Sequence, residues 1–238
     1  MKPAPVRASM KKLRFTPLQI AVHLYAWSAL ARLLFDFLTG RHFPNIIQSL
    51  EQRTGRHAIT LLVLALACTP LSNLSGWREP LKRRRTLGLY AFMYATIHVI
   101  IFVNLDFGLA WSFFVQTVLE KPFILFGMTT FLLLLPLALT SFDIWKVRLG
   151  RNWKRLHQLV YFAAPIAVLH FALSKKGDIF HLQGDIVRPL IYGLVLLVLL
   201  IMRLPPIRRA LAGLSTSIRI LILRPLVRPK MDPDQETH

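Results

Sequence analysis

Cysteine is nearly missing from this chain: Cys68 is the only one in 238 residues, and it falls in an apolar run. One thiol excludes an intrachain disulfide and a paired-thiol metal site. Carboxylates are scarce too, with 11 Asp and Glu against 30 Lys and Arg, a formal charge of +19. Within or at the edges of the apolar runs only Asp36 and Asp106 occur, both near helix ends, which counts against a proton-coupled carrier. No polar block is long enough for a second domain, and no G-x-G-x-x-G stretch occurs that could hold a dinucleotide.

What the chain has in abundance is apolar length. Mean hydropathy is +0.49 and 54% of residues are hydrophobic. Apolar runs of about 20 residues, the length that crosses a bilayer, recur throughout. The expected fold is therefore all-α, a polytopic membrane bundle of six transmembrane helices. The segments run Leu18–Leu38, His57–Leu74, Leu87–Leu105, Pro122–Ser141, Leu156–Leu173 and Pro189–Leu204. Around this domain, residues 18–204, lie a basic N-terminus (1–17) and a basic tail (205–238). The first run has no small-residue cleavage site and reads as a retained helix rather than a signal peptide. The tail mixes Leu and Ile with Arg, as an interfacial amphipathic segment does, and its last residues, MDPDQETH, read as disordered.

The basic residues are clustered, which argues against nucleic acid and for membrane lipid. Twenty-two of the 30 Lys and Arg fall in the N-terminus, the second and fourth loops and the tail counted from Arg203; seven fall in the other three loops, and Arg32 lies within a helix. The positive-inside rule then puts both termini in the cytoplasm. Arg32 and Asp36, spaced i,i+4, read as a local ion pair. Pro136 and Pro165 lie inside apolar segments and are expected to kink them.

Histidines inside apolar helices are the candidate functional groups, because an ionisable residue in a membrane span is costly. Counting from the cytoplasmic ends of their helices at ~1.5 Å per residue, His98 lies about 16 Å in and His170 about 21 Å in. The two are at similar depth and form the expected axial pair for a b-type haem between helices three and five. His157 is some 20 Å from His170 along the same helix. Pairing it with His98 would need an offset of roughly 14 Å between the helices. At the aqueous edge, His157 is open to three uses: a ligand to a second haem, a propionate contact or a quinone site. His23 is its only intramembrane partner by depth. His42, His57 and His181 read as loop or edge residues, and His238 as tail. No C-x-x-C-H stretch occurs, so a haem is not attached covalently through that motif. Arg84, Arg85 and Arg155 stand at the cytoplasmic edge, where a guanidinium fork suits propionate, flavin phosphate or lipid phosphate.

Several stretches together resemble a known family. Thr54-Gly55-Arg56 with Ala58 is similar to its opening of helix two, followed by Thr69-Pro70. Arg84-Arg85-Thr86-Leu87-Gly88-Leu89, with His98 nine residues on, resembles its third helix. Lys121-Pro122-Phe123 stands where that family often has Arg-Pro-Tyr, and Thr140-Ser141 closes helix four. Leu149-Gly150, Trp153, Leu156-His157, Val160-Tyr161 and His170-Phe171 resemble its fifth helix. The family is the haem-binding membrane subunit of bacterial protein-methionine-sulfoxide reductase, MsrQ (YedZ), within the ferric-reductase-like transmembrane group.

The resemblance implies an inner-membrane b-type cytochrome that also uses FMN, with His98, His157 and His170 as the haem-associated histidines. It implies electron transfer from the quinone pool or a cytoplasmic flavin reductase to a periplasmic molybdopterin enzyme that repairs oxidised methionine. The expected role is an electron-transfer subunit rather than the catalytic one. Two rivals remain at this stage. One is the membrane part of a ferric reductase or oxidase whose dehydrogenase is a separate chain. The other is a transporter with structural histidines, which predicts no cofactor.

Overall fold

The computed structural model describes residues 15–40, 46–106, 108, 110–175, 177–178, 183–184 and 186–210. Most of the basic N-terminus, the tail from 211 onwards, His42, His181 and His238 lie outside these residues.

Helix α1, Pro17–Leu38, starts where Thr16 Oγ1 accepts the Gln19 N–H at 3.3 Å and Pro17 fills the first turn. Helix α2 spans Ile46–Ser75 and begins well before His57, where hydropathy marks its start. Residues 46–56 are too polar to read as a membrane segment, yet Leu50 and Thr54 are buried and the segment continues the helix. Burial of one face overrides the hydropathy signal there. Helix α3, Glu79–Ile101, likewise starts ahead of its apolar run. Pro80 fills its first turn, and Glu79 pairs with Lys82 at 3.4 Å and Arg83 at 3.2 Å. A π-helical turn, Phe102–Asp106, continues it.

The short helix α4, Trp111–Glu120, leads to α5, Pro122–Leu139, which again opens on a proline. Two short helices follow, α6 (Asp143–Leu149) and α7 (Arg151–Leu156). The break between them is Gly150, whose φ of +50° suits a residue without Cβ. A 3₁₀ turn, His157–Leu159, joins α7 to α8, Val160–Leu173. A two-residue antiparallel pair, β1 (Gly177–Asp178) with β2 (Gln183–Gly184), precedes α9, Val187–Ile201.

The fold is an all-α membrane bundle. Among the described residues, five helical segments are long and apolar enough to cross a membrane. The sixth expected segment is the 15-residue α9, about 22 Å of helix against a hydrocarbon core of about 30 Å. Helix α2 is the centre of the bundle: half of its apolar stretch is buried, against 11–22% for the other four spans. It packs against α1, α3, α8 and α9. Tyr94 of α3 is fully buried and donates its hydroxyl to the Ala26 carbonyl of α1 at 2.6 Å. Leu24, Trp27, Leu132 and Leu194 point outward, as bilayer-facing residues do.

Two polar contacts differ from the sequence expectation or go beyond it. Asp36, expected to pair with Arg32, pairs with Arg53 of α2, because the longer α2 brings Arg53 alongside α1. Arg203, read as the start of the tail, instead ties the end of α9 into the bundle. Its guanidinium donates to the Tyr161 hydroxyl at 2.6 Å and to the Leu66 carbonyl, and lies 5.2 Å from the Tyr161 ring centre. Hydrogen bonds to a charged group are worth about 1.5–3 kcal/mol each. Arg203→Leu is therefore expected to destabilise the bundle by ~2 kcal/mol or more, read as a lower unfolding midpoint in detergent; an unchanged midpoint would show that Arg203 fastens nothing.

Candidate functional site

The end of the bundle formed by the starts of α2 and α5 and the ends of α3 and α8 encloses a cavity of about 470 Å³. His98 of α3 and His170 of α8 face each other across it, with ring centroids 6.2 Å apart and ring planes at 74°. Each imidazole is tethered by its Nδ1. His98 Nδ1 lies 3.0 Å from the Glu51 carbonyl and 3.3 Å from Thr54 Oγ1, both in α2. His170 Nδ1 lies 2.6 Å from the Phe123 carbonyl in α5. A carbonyl oxygen only accepts, so in both rings Nδ1 carries the proton and Nε2 keeps its lone pair.

The two tethers repeat one device. Gly55 stands four residues after Glu51, and Gly127 four after Phe123, so each glycine lies one helical turn beyond the accepting carbonyl. Each leaves room for the ring. A Cβ on Gly55 would meet His98 Cε1 at 3.4 Å, and one on Gly127 would meet His170 Cε1 and Nδ1 at 2.8 Å. The helix pairs α2/α3 and α5/α8 thus each supply a histidine from one helix and a carbonyl with a glycine cradle from the other.

This donor set fits a haem. Two imidazoles on opposite faces of one metal ion, each about 2 Å from it with a ring centre about 1 Å behind the nitrogen, have centroids about 6 Å apart. The second nitrogen of a metal-bound histidine is normally fixed by a carbonyl or carboxylate, the role filled here by Glu51 and Phe123. The cavity wall away from the tethers is apolar, with Leu62, Ala91, Phe131 and Leu134. Among the described residues no three His, Cys, Asp or Glu come together as a metal cluster, so a dedicated three-ligand metal site has no basis there, whereas a haem asks only for two axial groups.

His157 belongs to a different place. It lines a second cavity of about 520 Å³ at the other end of the bundle, with Arg84, Arg85, Lys146, Trp153 and Lys154. Its Nε2 is 3.2 Å from Thr140 Oγ1, and its ring lies 4.2 Å from that of Trp153, which donates to the Thr140 carbonyl at 2.9 Å. Arg85 reaches Asp143 at 3.2 Å and Lys146 reaches it at 2.7 Å. Lys146 first, and Arg85 after it, hold the Asp143 carboxyl below its usual range. Arg155 is exposed and lines neither cavity. His23 does not meet His157; its Nδ1 is 2.7 Å from the Tyr90 hydroxyl. His57, expected at a loop edge, is within α2, 2.9 Å from the Tyr25 hydroxyl.

The two cavities share Leu62 and Leu134 as walls. A second bridge is aromatic: Phe131 of the first cavity and Phe92 of the second stack with centroids 5.5 Å apart and planes at 15°. The carbonyl tethers, the glycine cradles and this stacked pair have no signature in the sequence beyond the Thr54-Gly55-Arg56 and Lys121-Pro122-Phe123 stretches that contain some of them.

Residues 54–168 match the family described as "Ferric reductase like transmembrane component". The protein-methionine-sulfoxide reductase heme-binding subunit MsrQ of Caulobacter vibrioides is 36% identical over 193 residues, covering 81% of this chain and 89% of that protein. The MsrQ of Xanthomonas axonopodis pv. citri is 45% identical over 133 residues, 56% of this chain and 61% of that protein. The MsrQ of Xanthomonas oryzae pv. oryzae is 44% identical over the same length. The chain spans about three-fifths of the length of these Xanthomonas relatives.

Proposed function

Because the chain belongs to the family of MsrQ haem-binding subunits, we propose that it is a membrane b-type cytochrome that passes electrons through the bilayer to a methionine-sulfoxide reductase. The observation that carries this reading is the facing pair His98 and His170, each with Nδ1 committed to a carbonyl and Nε2 left for a metal. A haem bound there supplies one-electron chemistry. Glu51 and Phe123 fix the imidazole orientation through their carbonyls, Gly55 and Gly127 admit the rings, and the apolar wall excludes water.

In this reading α9 completes six spans, and the distribution of Lys and Arg keeps both termini in the cytoplasm of a bacterium. The His98/His170 end then faces the periplasm, which suits delivery to a periplasmic molybdopterin-containing reductase subunit. The second cavity faces the cytoplasm, where the donor is the quinone pool or a flavin reductase. Its mix of Arg84, Arg85 and the adjoining Trp153 and His157 rings suits the phosphate and ring system of FMN. The Phe92/Phe131 stack offers an aromatic bridge between the two cavities. The chemistry on methionine sulfoxide occurs in the partner, so this chain is the electron-transfer subunit.

Purified protein is expected to carry non-covalent haem b, extractable into acidified organic solvent. His157→Ala is expected to retain that haem while weakening FMN at the second cavity, measured by flavin fluorescence after denaturation. A His157→Ala chain that loses all haem would move the iron to the second cavity and end this assignment.

A further inference from the structure

The haem cavity has one polar end, and its polarity gives the cofactor a direction. Apolar residues line the cavity where it adjoins the second one, whereas Gln48, Glu51, Gln52, Arg56, Lys121 and Lys175 line the opposite end. Haem is itself polarised, since its ring is apolar and its two propionates are anionic. Arg56 is the arginine of this rim, which also holds the Glu51 carboxylate. Its Nε is buried and makes no hydrogen bond among the described residues. Its side chain also lines a separate open crevice between α1 and α2, with Arg32, Arg53 and His57. It stands where the polar first turns of α2 meet the apolar run that begins at His57, and a buried guanidinium nitrogen there is costly unless it is paired.

We propose that Arg56 is a haem-propionate anchor, helped by Lys121 and Lys175, and that the haem sits with its propionate edge turned away from the second cavity, toward the α1/α2 crevice. The proposal rests on the haem reading above and adds a direction to it. Arginine is the residue suited to this task, because its planar fork matches a carboxylate with two parallel hydrogen bonds. The lysines contribute as point charges. The arginines of the basic end, Arg84 and Arg85, belong to the other cavity and do not reach this edge. The consequence is that the polar edge of the haem, rather than its apolar rim, faces the end of the bundle from which electrons leave.

The test is haem affinity, measured by titrating detergent-purified apoprotein with haemin and, separately, with haemin dimethyl ester, whose propionates carry no charge. Arg56→Gln is expected to weaken haemin binding about tenfold, the loss of one charge-assisted contact. Arg56→Lys is expected to recover only part of it, since lysine keeps the charge but not the fork. The ester should bind Arg56→Gln and the unsubstituted protein equally, which also reports that the variant is folded. Equal weakening toward both ligands would mean that Arg56 acts through the fold, and overturns the proposal. So would haemin affinity that falls in Arg85→Gln and not in Arg56→Gln, since the propionates would then face the basic end. If the unsubstituted protein takes up neither ligand, the haem reading itself falls.

Discussion

Replacing His98 or His170 by alanine is expected to leave a folded membrane protein that retains no haem at the first cavity. Loss of an outer-sphere partner to a metal-bound histidine alone costs about 10–100-fold in affinity, so loss of the ligand itself is expected to exceed about 100-fold. The two variants should behave alike because the site is built twice. Each ring is held between a helix that supplies it and a helix that supplies its carbonyl tether, Glu51 for His98 and Phe123 for His170. Haem content per polypeptide, measured as the pyridine complex, reads the effect. Added imidazole should restore part of the haem in either variant, because the vacated volume is bounded by glycine rather than by a side chain that could collapse into it. Undiminished haem in both variants would separate this histidine pair from the cofactor altogether.

The second large effect is expected at a residue with no side chain. Gly127→Ala would put a methyl group 2.8 Å from His170 Cε1 and Nδ1. The ring cannot swing clear without giving up the 2.6 Å contact with the Phe123 carbonyl, one turn earlier on the same helix. Overpacking costs about 1–3 kcal/mol, so haem affinity is expected to fall by about tenfold or more. Gly55→Ala is the internal comparison. There the new methyl group meets His98 Cε1 at 3.4 Å, which a shift of a few tenths of an ångström absorbs, and the loss should be small. The ordering of the two variants is the sharp part of the prediction. Equal haem content in Gly127→Ala and the unsubstituted chain would show that the ring is free to move, and that the carbonyl tether does not fix it.

These two predictions draw on different amounts of sequence. The histidines were legible because rise per residue converts position into depth, and a pair at equal depth on two apolar segments stands out. His98 and His170 could be set side by side by counting alone. The first turns of α2 were not legible. Residues 46–56 are polar enough to resemble a loop, and only burial of Leu50 and Thr54 against the neighbouring helix makes them helical. The family resemblance marked Thr54-Gly55-Arg56 as an opening of helix two, but the turns before it, with the Glu51 carbonyl, stayed hidden. A backbone carbonyl has no sequence signature, and a glycine that admits a ring looks like any other glycine until the ring is placed. Arg203, counted with the basic tail, is a different case. A basic residue at the end of an apolar run ordinarily faces headgroups, but here Tyr161 and the Leu66 carbonyl draw it inward.

The separation of His157 from the other two histidines follows from the same geometry. A 3₁₀ turn precedes α8 and places His157 against Trp153 in the second cavity, so the chain offers two distinct compartments joined through Leu62, Leu134 and the Phe92/Phe131 stack. Two compartments in line across a bundle are what an electron path through a membrane requires, with one end receiving and the other delivering.

The claim beneath all of this is that one iron is held between two imidazoles, and low-temperature electron paramagnetic resonance of the oxidised, detergent-purified protein tests it most directly. The account predicts a low-spin ferric signal, as two nitrogen axial ligands give, with the strong anisotropy expected of imidazole planes 74° apart, and its disappearance in His98→Ala and His170→Ala. A high-spin ferric signal from the unsubstituted protein, or no haem signal after haem supplementation, would contradict it.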